Sequence, residues 1–352
     1  MPDYIKIVNR RVRREGPQRT QRNPQTFVAG ILVGSIRPFG MSSKTTSLLT
    51  EMRYNGHSMV GELQRVVVCS PATAGWDQTG RAERWRELGF HHAPEVAEAQ
   101  AQHEKMRGEL ELAGAEVVKI ATAVGGSFGG RSFGELSLDA VYAHDASLAT
   151  DFGLILMRPG KSNRVAEGLH HGFLAEDMGI PTLGKITSPG TAEAGDMVWL
   201  DAKTLLIGRG YRTNAEGIRQ MDALLGPKGV TVVSAALPHG SGPEVCLHLM
   251  SLMSLLDENT VLVDLPWLAV ETIELLRGRG FNFIEIDDSE RDTLACNVLA
   301  LGGKRLLALE ENRETNNRLR RAGFDVRTFP GTELCINGGG GPTCLTRPLL
   351  RG

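Results

Sequence analysis

From residue 61 onward the chain alternates between short apolar runs and longer segments with one apolar face. Residues 63–69 (LQRVVVC) read as a buried strand closed by Ser70-Pro71. Residues 76–90 are polar and loop-like. Residues 93–112 carry Glu and Lys on an outer face and stop near Gly114, which predicts a long helix. A strand follows over 117–121, then a glycine-rich loop over 125–132. Residues 153–157 (GLILM) are the next strand, and 164–178 form a helix that ends before Ile180-Pro181. The second half keeps this beat. Residues 197–200 and 204–207 form a hairpin around Asp201-Ala202-Lys203. A helix follows over 214–225, with Asn214 placed to cap it, then a strand over 230–233. A strand at 260–263, a helix at 269–279 and a strand at 281–286 come next. A hairpin at 297–301 and 305–309, a helix at 315–322 and a strand at 325–328 complete the series.

Strand, hairpin, helix and strand recur after Gly61 with no Ser/Pro-rich linker between copies. The pattern predicts one α/β domain over 61–352, assembled from ββαβ-like units around a centre. A doubly wound parallel sheet is the competing fold. It calls for a G-x-G-x-x-G turn after an early strand, which the chain lacks.

Composition narrows the class. The chain has 352 residues, 41% hydrophobic and 23% charged, enough for a sizeable soluble core. A formal net charge of -2 gives no global field to recruit nucleic acid or an anionic membrane. Cys69, Cys246, Cys296, Cys335 and Cys344 are odd in number, widely spread and without a CxxC pair. Neither a disulfide framework nor a zinc site is indicated, and a reducing cytoplasm is the expected compartment. No run approaches the roughly 18 apolar residues that span a bilayer. Residues 1–60 begin with seven basic side chains from Lys6 to Arg22, followed by the short apolar stretch 27–34. That order resembles a signal peptide, but the basic part is long and no A-x-A-like site follows. A disordered basic extension over 1–60 is the expectation, with Met41-Ser42-Ser43-Lys44 reading well as an alternative start. Nothing fixes the oligomeric state; a homodimer is compatible with the sequence.

Chemistry concentrates in a few places. Near the end, Gly338-Gly339-Gly340-Gly341-Pro342-Thr343-Cys344 places a single thiol on a turn that only glycines can follow. Such a cysteine is a nucleophile candidate, or a structural thiol behind a surface loop. His248, in Glu244-Val245-Cys246-Leu247-His248-Leu249-Met250, is a packed histidine or a general acid/base. Glu193 and Asp196 in 191–196, and Asp145 beside His144, cap turns or point carboxylates into a cleft. Arg164 and Arg212 are solvated, or form a clamp for a substrate carboxylate, since a guanidinium donates two parallel hydrogen bonds.

Together and in this order the motifs resemble the guanidino-group modifying enzymes of the pentein fold, a five-bladed pseudo-symmetric α/β propeller. The resemblance runs from about residue 63 to the C-terminus. It rests on Asp145, on R-P-G-x-x-x-R-x-x-E from Arg158 to Glu167 and on E-x-G-D from Glu193 to Asp196. R-T-N at Arg212, C-L-H-L at His248 and G-G-G-G-P-x-C at Cys344 complete it. The family includes dimethylarginine dimethylaminohydrolase, arginine deiminase and arginine:glycine amidinotransferase. It implies Cys344 as nucleophile and His248 as acid/base, with Glu193 among the catalytic residues and, beside Asp145, a carboxylate for the substrate guanidinium. Asp145, Arg164, Arg212 and His144 become substrate-binding residues for a small guanidino amino acid. No metal or organic cofactor is implied, and nucleic acid and membrane are not expected partners. The implied reaction is hydrolysis of an N-methylated arginine to citrulline and a methylamine through a covalent thiouronium. Arginine deimination and amidino transfer are the alternatives, and a non-catalytic pentein-fold binder is the alternative of a different class. Deiminases and amidinotransferases typically carry H-x-D at the histidine; here Met250 stands two residues after His248, as in the dimethylargininases. His144 replaces the acid that many dimethylargininases carry there, and the glycine run is spelled more as in deiminases.

Overall fold

A computed structural model describes residues 54–78, 80–120, 127–128, 131–132 and 136–352. In chain order they form β1 (Leu63–Val68), α1 (Trp85–Leu88), α2 (Val96–Leu112), β2 (Glu116–Lys119), and a small hairpin of β3 (Ser127–Phe128) and β4 (Arg131–Ser132). Next come β5 (Ser147–Thr150), β6 (Gly153–Leu156), α3 (Glu167–Asp177), β7 (Thr182–Lys185), β8 (Met197–Asp201), β9 (Thr204–Arg209), α4 (Ala215–Leu225) and β10 (Thr231–Ala236). The chain ends with β11 (Met253–Asp257), β12 (Thr260–Val263), α5 (Val270–Gly278), β13 (Asn282–Glu285), β14 (Leu299–Gly302), β15 (Arg305–Leu309), α6 (Arg313–Arg321), β16 (Asp325–Phe329) and β17 (Thr346–Arg351).

Besides the small hairpin, the strands make five three-stranded sheets: β17-β1-β2, β5-β6-β7, β8-β9-β10, β11-β12-β13 and β14-β15-β16. In every sheet the first two strands are antiparallel and the third runs parallel to the second. A parallel neighbour needs a crossover, and the helices α2, α3, α4, α5 and α6 supply the five crossovers. The first sheet is completed by the last strand, so the two ends of the domain close it. Asn214 caps α4 as expected, its side chain accepting from the Gly217 N–H at 2.8 Å.

Alternation along the inner strands closes the ring. Met197 and Trp199 of β8 pack towards the β5–β7 sheet, while Val198 and Leu200 pack towards β11–β13. Leu262 of β12 and Leu306 of β15 share a further layer. Leu307 and Leu309 of β15 then join Leu154 and Leu156 of β6 around β1 and α2. Each sheet is thus buried on both faces between two neighbours, the pentein arrangement of five α/β units around an axis. Residues 54–60 are tied to this domain, with the Asn55 N–H donating to the Leu349 carbonyl at 2.8 Å. The rest of the expected basic extension lies outside the described residues. No helix among the described residues is long and apolar enough to cross a membrane.

Candidate active site

Five segments, each leading into the first strand of a sheet, bring their side chains to one end of the axis. Asp145 precedes β5, Glu193 precedes β8, His248 precedes β11, Asn297 precedes β14 and Cys344 precedes β17, each by two to five residues. The repeat therefore offers five equivalent positions. Asp139, Tyr142, Asp145, Lys161, Arg164, Arg212, Cys246, His248, Gly338, Gly339, Gly340 and Cys344 line the pocket between them.

Cys344 is half-buried, and its Sγ accepts from the Asn297 amide Nδ2 at 3.0 Å. The Asn297 Oδ1 accepts from the Thr343 N–H at 3.0 Å, so one side chain fixes both the turn and the sulfur. Two neighbours explain the glycines. A Cβ on Gly340 would stand 2.5 Å from the Tyr142 ring, and one on Gly341 would stand 2.7 Å from Asn297 Oδ1. Burial, with the Asp145 charge adding to it, pushes the Cys344 thiol up to about 12.

His248 is enclosed by acids. Its Nε2 meets Glu193 Oε2 at 2.7 Å, its Nδ1 meets Cys246 Sγ at 3.5 Å, and Asp145 Oδ1 lies 3.9 Å away. Burial opposes the imidazolium, but Cys246, Asp145 and Asp196 outweigh it and hold the ring's pKa well above its ordinary value. Burial likewise favours a neutral Glu193, and the hydrogen bond and charge of His248, with Arg212 and Arg164, override it and keep Glu193 ionised. Gly195 allows this packing: a Cβ there would sit 2.5 Å from His248 Nδ1.

Asp145 is held rigidly. Its Oδ2 accepts from Arg164 Nη1 at 2.8 Å and its Oδ1 from the Gly195 N–H at 3.0 Å. Arg164 also donates Nη2 to Glu167 Oε2 at 2.8 Å and to the Tyr142 carbonyl at 3.0 Å, and Nε to both Glu167 oxygens at 3.1 Å. Its guanidinium is therefore committed to positioning Asp145, and the expectation that it clamps a substrate carboxylate gives way to that role. Arg212 is freer. Its one ion pair among the described residues is long, Nη1 to Glu193 Oε1 at 3.5 Å.

The structure brings Cys344, His248, Asp145, Arg164 and Arg212 around one pocket, with Glu193 buried behind it and hydrogen-bonded to His248. It does not bring His144 there. That ring lies on the other side of the Asp145 backbone, with Nδ1 donating to the Thr346 carbonyl at 2.7 Å, and lines a separate axial cavity. Its expected place among the substrate-binding residues is corrected accordingly. Sequence reasoning missed Asn297, Tyr142 and Cys246. Asn297 had a usable signal, since it stands before its hairpin as the others stand before theirs. Asp145, Glu193 and His248 also place donor atoms within 4.8 Å of one another. An imidazolium hydrogen-bonded to Glu193 has no lone pair to give a cation, so the arrangement suits proton transfer better than metal binding. The free space in the pocket is about 30 Å³, on the scale of a water molecule.

Known proteins share parts of this sequence and its fold. Residues 138–274 and 264–351 match the family model described as arginine deiminase. A protein of Bacillus subtilis called YkgA is 30% identical over 160 residues, which is 46% of this chain and 52% of its own. The chain thus spans about half the length of that relative. The N(G),N(G)-dimethylarginine dimethylaminohydrolase of Pseudomonas aeruginosa is 30% identical over 53% of this chain and 68% of its own. Among solved structures, an amidinotransferase of the saxitoxin pathway from Microseira wollei superposes with a TM-score of 0.67. It is 17% identical and covers 85% of this chain and 97% of its own, a likeness of fold.

Proposed function

The chain belongs to the arginine deiminase family, and on that premise we propose that it hydrolyses an N-methylated arginine to citrulline and a methylamine through a covalent intermediate on Cys344. The observation that carries this reading is the convergence of Cys344 on Asn297 with a His248 imidazolium held by Glu193 at 2.7 Å. The name of the Pseudomonas relative supports the substrate.

The chemistry follows from the protonation states. A bound guanidinium brings positive charge beside a thiol that burial keeps neutral, which releases the thiol proton to solvent and leaves the thiolate. The thiolate attacks the guanidinium carbon and forms a C–S bond, giving a tetrahedral adduct. His248 then gives its proton to the substituted nitrogen, the C–N bond breaks, and the amine departs. An S-alkylthiouronium remains on Cys344. The now neutral His248, steadied by Glu193, takes a proton from water as that water attacks the same carbon. Cleavage of the C–S bond releases citrulline. Asp145 supplies the carboxylate for the substrate cation and Arg212 a cation for its α-carboxylate.

Deimination of arginine itself, or amidino transfer to an amine, shares the first half of this path. The family model and the amidinotransferase likeness keep both as the second reading. The test is a product assay on the purified protein across arginine, monomethylarginine and dimethylarginine, with and without glycine or lysine as acceptor. Citrulline from the methylated substrates, lost in Cys344→Ser, is expected. Turnover only in the presence of an acceptor amine would overturn hydrolysis, and undiminished turnover in Cys344→Ser would overturn the nucleophile.

A further inference from the structure

A second cavity lies on the axis, separate from the catalytic pocket and sharing none of its lining residues. Its walls come from further along the inner strands, at residues such as Leu148, Leu255, Leu299 and Ala300. Into it are built His144, Trp199, Arg347 and Arg351, all at most 5% exposed. No aspartate or glutamate lines it. Arg347 Nη2 donates to the His144 carbonyl at 2.5 Å, and Arg351 Nη1 to the carbonyls of Gly61 at 2.7 Å and Ala300 at 2.9 Å. These partners are neutral, and no carboxylate pairs with either arginine among the described residues. Arg347 Nε, Arg351 Nε, Trp199 Nε1 and His144 Nε2 are buried without a hydrogen-bond partner.

Two buried guanidinium charges without an anion are costly, and three N–H donors without acceptors add to that cost. Burial pushes Arg347 down to about 9, Asp145 partly opposing it and Arg351 adding to it, and burial alone pushes Arg351 down to about 10. Those directions are what a missing counter-charge produces. The cavity's free volume of about 30 Å³ is enough for one small ion and too little for a phosphate ester or an amino acid. Because Nδ1 of His144 donates to Thr346, a neutral His144 turns a lone pair inward at Nε2.

We propose that this axial cavity is a binding site for a small inorganic monoanion of chloride size, held by Arg347 and Arg351 with the indole N–H of Trp199. The site is distinct from the catalytic pocket and takes no part in the proposed reaction. It serves the fold: β17, which carries both arginines, closes the first sheet, and the anion offsets the charge that this strand buries.

The experiment measures the full chain's Tm in rising sodium chloride, with sodium gluconate keeping ionic strength constant, and the chloride NMR line width in parallel. A saturable rise in Tm of about 3 °C between no chloride and about 200 mM is expected. Excess chloride line broadening, displaced by bromide, should accompany it. Arg351→Met should lose both responses; if it does not fold, Trp199→Phe should shift half-saturation several-fold to higher chloride. Equal Tm in chloride and gluconate, with no excess broadening, overturns the proposal. It means that water balances the site instead.

Discussion

Filling the pocket with an unreactive guanidinium should convert Cys344 from thiol to thiolate. Burial, aided by Asp145 and opposed by His248 and the Asn297 amide, holds this thiol at about 12. At pH 8 only about one molecule in ten thousand then carries the thiolate. A guanidinium about 4 Å from the sulfur, at an effective dielectric near 20, favours the charged form by about 4 kcal/mol. That corresponds to roughly three units and brings the thiol to roughly 9. The thiolate fraction at pH 8 rises about a thousandfold, to near one tenth. The assay is ultraviolet thiolate absorbance titrated against pH, with and without methylguanidine. It uses a Cys246→Ser background because Cys246 is exposed, and Cys344→Ser as the blank. Cys69, Cys296 and Cys335 are buried, with thiols pushed far up, and stay silent. An unchanged midpoint with methylguanidine bound, its binding verified by calorimetry, would refute substrate-assisted ionisation. So would a midpoint near 9 in the empty pocket.

Arg164→Met leaves Asp145 and Glu167 buried without their shared cation, and calorimetry should show a loss of roughly 3–5 kcal/mol; a loss below about 1 kcal/mol would mean the pairs are dispensable. Arg212→Ala should raise KM at least tenfold for amino acid substrates and leave guanidines without an α-carboxylate unaffected, so equal effects on both would remove its clamp role. Asp196 is buried, and burial, with Glu193 adding to it, lifts its carboxyl to about 7 against His248, Thr213 and the Leu249 N–H. A raised carboxyl binds its proton more tightly in the folded chain, so this group's contribution falls as pH rises from about 4 to 7. Asp196→Asn should remove up to about 4 kcal/mol of that decline, read as the difference between the two denaturation profiles across pH. Cys246→Ala should lower the His248 pKa in an NMR titration, while Met250→Leu leaves it in place; the reverse ranking would show that the ring is tuned from position 250.

The buried parts of the fold were the legible parts. The second strands of the sheets lie between two neighbours, so β6, β9, β12 and β15 read as continuous apolar runs, and their helices carry usable caps and stops. β7 (Thr182–Lys185) escaped notice because an outer strand is half-covered: its two middle residues are partly buried and its ends exposed. β17 escaped for a different reason. Arg347, Pro348 and Arg351 make it read as a polar tail, whereas it pairs with β1 at the centre of the molecule. Whether Arg164 meets a substrate or a neighbour is a question of distance, which the motif around it does not encode. The same holds for His144, adjacent to Asp145 in the chain and opposite to it in direction.

The dipeptide after His248 shows how spacing misleads when a turn intervenes. The absent carboxylate at Met250 reads in the sequence as a missing charge beside the acid/base. In the fold, Met250 is 2% exposed and lines the axial cavity, while His248 faces the catalytic pocket. The imidazolium draws its support from Glu193 at 2.7 Å and Asp145 at 3.9 Å on other segments, and from Cys246 on its own segment at 3.5 Å. Glu193 comes from the equivalent position of the neighbouring sheet and Asp145 from that of the sheet beyond it. The proposed role, donating a proton to the amine and then taking one from water, requires the ring to be stable in both states. That stability is a property of how three sheets meet at the axis. A carboxylate at position 250 would instead lie in the wall of the cavity that holds Arg347 and Arg351, where it would meet their charge rather than the substrate's.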